Sequence, residues 1–172
     1  MQDLDPPAIP FLFKLDAELR KSKFTVWRNI SWHDGSEIPI FAFKNTWILY
    51  PISISVFVRE LDPVSVGDLK SFAQDCLKYV QRTVPKTSRS PWFRHYLCIP
   101  VLISEKPAPE TIDLISKNPL DLRNPFFLGC AFPVLINSDN REIYYFKKRK
   151  LIGFALWKFL RQLVERLIVQ NL

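Results

Sequence analysis

The sequence predicts a mixed α/β (α+β) fold, with a central mixed sheet and helices packed on it, in a single domain covering residues 1–172. Three observations carry that expectation. Across residues 64–80, Leu69, Phe72, Ala73, Cys76, Leu77 and Val80 recur at the i, i+3, i+4, i+7 spacing of a helix laid on a core. Residues 96–103 form an almost unbroken apolar run of strand length, the pattern of a strand covered on both faces. Residues 131–136 and 142–146 flank the polar turn Asn137, Ser138, Asp139, Asn140, which reads as a hairpin. A helical crossover and hairpins in one chain call for both parallel and antiparallel neighbours.

The elements follow in order. Leu12, Leu15 and Leu19 lie at helical spacing, and Arg20 and Lys21 supply the positive charge that suits a helix C-terminus. Residues 24–30 read as a first strand, His33, Asp34 and Gly35 as a turn, and residues 37–43 and 47–59 as two further strands. Ser65 and Asp68 open the next helix as a capping box, with Val64 stapled onto Leu69. A short helix is expected over residues 110–117 behind Pro109. A long terminal helix starts near residue 150, with Trp157, Leu160, Leu163, Val164, Leu167 and Ile168 on its apolar face. Its polar face mixes Lys158, Arg161, Glu165 and Arg166, which favours core packing over contact with a membrane surface.

At 172 residues and 48% hydrophobic, the chain suffices for one core burying roughly 70% of its unfolded surface. Cys76, Cys98 and Cys130 each sit in an apolar segment and form no closed set of bridges, which predicts free thiols in a reducing, cytoplasmic setting. No secretion signal is visible, and no apolar stretch approaches the roughly 20 residues that span a bilayer.

The order helix, three strands, helix, strand over residues 11–103 resembles the core of the PD-(D/E)XK nuclease-like (restriction-endonuclease-like) fold. That resemblance implies an acidic residue opening the second strand and an acid-x-Lys triplet on the third, with the carboxylates holding Mg²⁺ and the lysine activating water. Asp34 or Glu37 stands at the first position, but the third strand offers only Ser53, Ile54, Ser55 or Val56, Phe57, Val58 at the second. Glu60 and Asp62 lie just beyond it, with Lys44 or Lys70 as the cation. The expectation is a degenerate version of the fold without its catalytic triplet. Residues 110–115, 132–136 and 142–146 ahead of Gly153 are also similar to uncharacterised bacterial proteins, cyanobacterial ones among them, a likeness that transfers no activity.

Other chemistry finds little support. The two histidines, His33 and His95, stand in different segments, no cysteine pair has metal-ligand spacing, and no GxSxG, GxGxxG or Walker loop occurs. No catalytic residue, metal or cofactor is therefore expected. The candidate binding residues are basic: Arg82, Lys86, Arg89 and Arg94 interleaved with Trp92, and the run Lys147, Lys148, Arg149, Lys150. Cations neutralise phosphate and flat rings stack on unpaired bases, so this mixture suits single-stranded nucleic acid, and the net charge of +7 agrees with an anionic partner. The simpler reading, in which the aromatic residues fold under the loop to seal a sheet edge while the charges stay solvated, is the preferred one.

Trp27, Trp32, Trp47 and Phe57, with Phe126 and Phe127, are more large aromatics than a domain of this size must bury. They point to a non-catalytic binding or assembly protein whose partner is another protein or a second copy of the chain. Nucleic acid binding is the alternative, and a metal-dependent nuclease stands third.

Overall fold

In the computed structural model, residues 8–47, 51–83, 95–117, 129–147 and 154–171 are described. The elements are α1 (Ala8–Lys21), β1 (Thr25–Ser31), β2 (Glu37–Trp47), β3 (Pro51–Glu60), α2 (Val66–Thr83), β4 (His95–Ser104), α3 (Pro109–Lys117), β5 (Gly129–Ala131), β6 (Val134–Asn137), β7 (Glu142–Tyr145) and α4 (Phe154–Leu167), followed by a short 3₁₀ turn (Val169–Asn171). The strands form one seven-stranded mixed sheet in the order β1-β2-β3-β4-β6-β7, with β5 also paired to β4. β1, β2 and β3 form an antiparallel meander, β4 runs parallel to β3, β5 and β6 run parallel to β4, and β7 turns back on β6.

Alternation along the central strands feeds two separate layers. Ile52, Ile54, Val56 and Val58 of β3, with Leu97, Ile99, Val101 and Ile103 of β4, pack with Leu15 and Leu19 of α1 and Leu160, Val164 and Leu167 of α4. Phe57, Cys98 and Leu102 point the other way, into Leu69, Phe72, Cys76 and Val80 of α2 and Ile115 of α3. The sheet is therefore dry on both faces at its centre, as the apolar run in β4 predicts. The capping box is formed: the Ser65 N–H donates to the Asp68 carboxylate at 2.9 Å, and the Asp68 N–H donates to Ser65 Oγ at 3.2 Å. Val64 and Leu69 lie in one buried cluster, as the staple requires.

Two boundaries differ from the sequence reading. Lys44, Asn45 and Thr46 look like a break between strands, yet β2 continues through them to Trp47 and β3 begins at Pro51. Lys44 and Asn45 have partners that make extended structure tolerable: Lys44 Nζ donates to the Ser22 carbonyl at 2.8 Å, and Ser53 Oγ donates to Asn45 Oδ1 at 2.8 Å. Residues 131–136, read as one strand, are split into β5 and β6. Both segments pair with β4 at the same offset, and the Phe132 N–H still donates to the Cys98 carbonyl at 2.7 Å. The next donor in a parallel ladder would be the N–H of residue 100, which is proline, as is residue 133, so the ladder lapses for two residues and resumes. The start of the terminal helix near residue 150 lies outside the described residues, which take up the helix at Phe154.

The topology also decides where a ligand crevice can form. Both crossover helices, α2 and α3, lie on the same face of the sheet. Among the described strands the order therefore does not reverse between parallel neighbours, so they do not form the crevice that such a reversal opens at strand C-termini. Phe57 is fully buried within the α2 layer. Phe57→Ala is expected to lower the unfolding free energy by about 3–5 kcal/mol, and Ser65→Ala by about 1 kcal/mol through loss of the cap, both read by urea denaturation.

Candidate protein interface

Asp34 and Asp62, at the end of the sheet where β3 and β4 finish, are committed to holding loops. Asp34 accepts the Ser36 N–H at 2.9 Å and Arg59 at 2.9 Å. Asp62 accepts Ser104 Oγ at 2.6 Å and the Lys106 N–H at 2.9 Å, tying the loop after β3 to the loop after β4. Lys44 stands opposite Ile54, six residues down the strand from Glu60, or roughly 20 Å away at the rise of a strand. Lys44 is therefore not brought to the Glu60 carboxylate. Among the described residues no group of three or more His, Cys, Asp or Glu is placed to hold a metal ion. His33 Nε2 lies 3.4 Å from Asp75 on the surface, while burial and the neighbouring Cys98 push the Cys76 thiol up, away from the reactive thiolate.

Of the nine basic and aromatic residues singled out in the sequence, two are described. Arg82 is exposed in the last turn of α2. Lys147 is exposed after β7, with Nζ 5.2 Å from the centre of the Tyr145 ring and its carbonyl accepting from Arg161 at 3.3 Å. Lys86, Arg89, Trp92, Arg94, Lys148, Arg149 and Lys150 lie outside the described residues, as do Phe126 and Phe127. β7 is antiparallel to β6 and hence to β4, so Lys147 leaves the sheet toward the end at which His95 starts β4. Two strand spacings and four residues of rise separate these points by roughly 15 Å.

The aromatic surplus resolves differently from the sequence expectation. Trp32 and Phe57 do not face outward: both are buried, because the turn after β1 folds the indole beneath α2. Trp32 stacks on Tyr79 at 5.2 Å and meets the edge of Phe57 at 5.7 Å. Its Nε1 lacks a hydrogen-bond partner, a cost of about 1–3 kcal/mol that the packing of the ring offsets. Trp27 does stay outside, 44% exposed on β1 and stacked on Phe41 at 5.0 Å.

β1 is one margin of the sheet, and a second large apolar side chain, Phe13 of α1, is 57% exposed on its other face. Helical spacing puts Phe13, Asp16 and Arg20 on one side of α1, toward β1. The Asp16 carboxylate is 7% exposed and accepts from Arg20 Nε at 3.0 Å and from the Arg28 guanidinium. Arg28 also lies over the Phe13 ring, 5.1 Å from its centre. Two guanidiniums thus share one carboxylate, leaving positive charge on a margin lined by exposed rings. Phe13 was not singled out in the sequence. Its position one residue after Leu12 in the helical stripe marks it as lying just off the buried face.

No protein-family model, curated protein or solved structure matches the chain.

Two outcomes follow from these contacts. Asp16→Ala leaves two guanidiniums facing each other without their carboxylate and is expected to cost about 1–2 kcal/mol, the half-exposure of both arginines limiting the loss. The Asp62 carboxyl is held below its usual range, chiefly by the Ser104 hydroxyl and then by the Lys106 N–H. A depressed carboxylate stabilises the fold above its unfolded value near 4 and loses that contribution as pH falls through the lower folded value. Asp62→Asn is therefore expected to flatten the decline in stability below about pH 4, measured by urea titration at several pH values.

Proposed function

We propose that the chain is a non-catalytic binding or assembly protein that meets another protein along the β1 margin, in the reducing environment of the cytoplasm. The observation that carries this reading is the pairing of Trp27 and Phe13. They are the large aromatic side chains exposed among the described residues, and they stand on the two faces of the same sheet margin. Aromatic rings with an adjacent arginine are the groups that dominate protein contacts, because they bury large area at low entropic cost while the guanidinium adds directional bonds. The free thiols and the lack, among the described residues, of a helix long and apolar enough to cross a membrane agree with this setting.

A second reading, nucleic acid binding, is favoured by one observation: Lys147 heads toward the same end of the sheet at which the chain rejoins it at His95. The salt response separates the two.

A tagged full-length chain is expected to retain a partner protein after nuclease treatment and in about 0.5 M salt, where phosphate contacts are largely screened. Trp27→Ala combined with Phe13→Ala should reduce that retention at least about tenfold with little change in melting temperature, since neither ring is in the core. Retention unchanged in the double variant would contradict the reading. Oligonucleotide binding that survives physiological salt would put the second reading in its place.

A further inference from the structure

A cleft of about 190 Å³ opens between α1 and the β1–β2 hairpin, lined by Leu12, Phe13, Arg28, Asn29, Pro39 and Ile40. It is too small for a typical cofactor, whose sites run from roughly 300 Å³ upward, and large enough for one apolar side chain, since a cavity of about 150 Å³ admits benzene. Four of its six lining residues are apolar. The polar wall is Arg28, with Arg20 behind it on the same buried carboxylate and Lys14 exposed beside Phe13. Among the described residues no carboxylate lines the cleft.

From this charge pattern we infer that the cleft seats an acidic segment of a partner protein, taking one leucine- or phenylalanine-sized side chain while a flanking carboxylate meets the Arg28 guanidinium. The inference rests on the protein-binding reading and gives its partner a chemistry. Asp16 holds Arg28 over Phe13, so the guanidinium is already oriented and loses little freedom on meeting a second carboxylate. Its side chain is 47% exposed, leaving donors free for that contact. Strand addition along β1 is a poorer fit. Asn29 takes a left-handed φ of 50° opposite Pro39, and Ile30 and Ile38 pack on the α2 side, although alternation from Val26 and Ile40 would place them on the α1 side. Such a break in the extended run is how sheet edges resist pairing. The partner therefore inserts a side chain rather than a strand.

The test is titration of the ¹⁵N-labelled full chain with the capped peptide Glu-Asp-Leu-Asp-Glu, followed by amide shifts. Saturable shifts are expected at Leu12, Phe13, Arg28, Asn29 and Ile40, with affinity in about the millimolar range. A peptide with Ala in place of Leu, or with Lys in place of the acids, should bind at least about tenfold more weakly. Phe13→Glu, which puts a like charge at the mouth without touching the core, should weaken the acidic peptide by a similar factor. Equal binding of the Lys peptide, or no saturable shift at the cleft, overturns the inference. Much tighter binding of a phosphoserine peptide would replace the carboxylate with phosphate and overturn it too. Loss of peptide binding alongside intact Trp27- and Phe13-dependent partner retention sinks the cleft assignment alone; loss of both sinks the reading beneath it.

Discussion

β3 and β4 have to be dry on both faces, and most of the architecture follows from that requirement. Their parallel pairing demands a crossover, and α2 supplies it on the face that receives Phe57, Cys98 and Leu102. The opposite face carries the more uniformly aliphatic set and is closed by α1 and α4 from the two ends of the chain. Buried polar groups on these strands are tolerated because they are paired: Ser53 donates to Asn45, and Ser55 to the Leu97 carbonyl at 3.3 Å. The free thiols Cys76 and Cys98 belong to the same packing and act as small apolar groups.

The same coverage shapes the strand ends. With α2 and α3 on one face, the described strands show no reversal that would open a crevice, and Asp34 and Asp62 there tie loops together. Among the described residues β1 is paired on one side only, with Trp27 exposed on it and Phe13 of α1 exposed on its other face. Positive charge collects there because Asp16 answers two arginines, while the acids of the β1–β2 turn and of the loop after β3 are spent on Ser36, Arg59, Ser104 and Lys106.

Much of this fold was legible in the sequence where one physical pattern dominated. The stripe from Leu69 to Val80 was unambiguous because a strong helical period coincided with a capping box, and residues 96–103 read as a covered strand because no polar residue interrupts them. Legibility failed where a distant partner changed the meaning of a residue. Lys44 and Asn45 read as a gap between two strands until Ser22 and Ser53 take up their polar atoms, and the split between β5 and β6 depends on Pro100 facing Pro133 across a ladder that local sequence does not display. The surface was harder still. Trp27 and Trp32 are both tryptophans near one strand, and only the turn after Ser31 puts one indole beneath α2 and leaves the other outside. Asp16, Arg20 and Arg28 carried no visible motif, because their meeting depends on how α1 lies against β1.

Action through the β1 margin, and not through the ends of the parallel strands, can be read by amide hydrogen exchange on the full chain, alone and bound to the protein it retains. It predicts new protection in β1 and the middle of α1, with residues 60–68 and 104–108 unchanged. Protection confined to those two loops, with β1 unaffected, would contradict it.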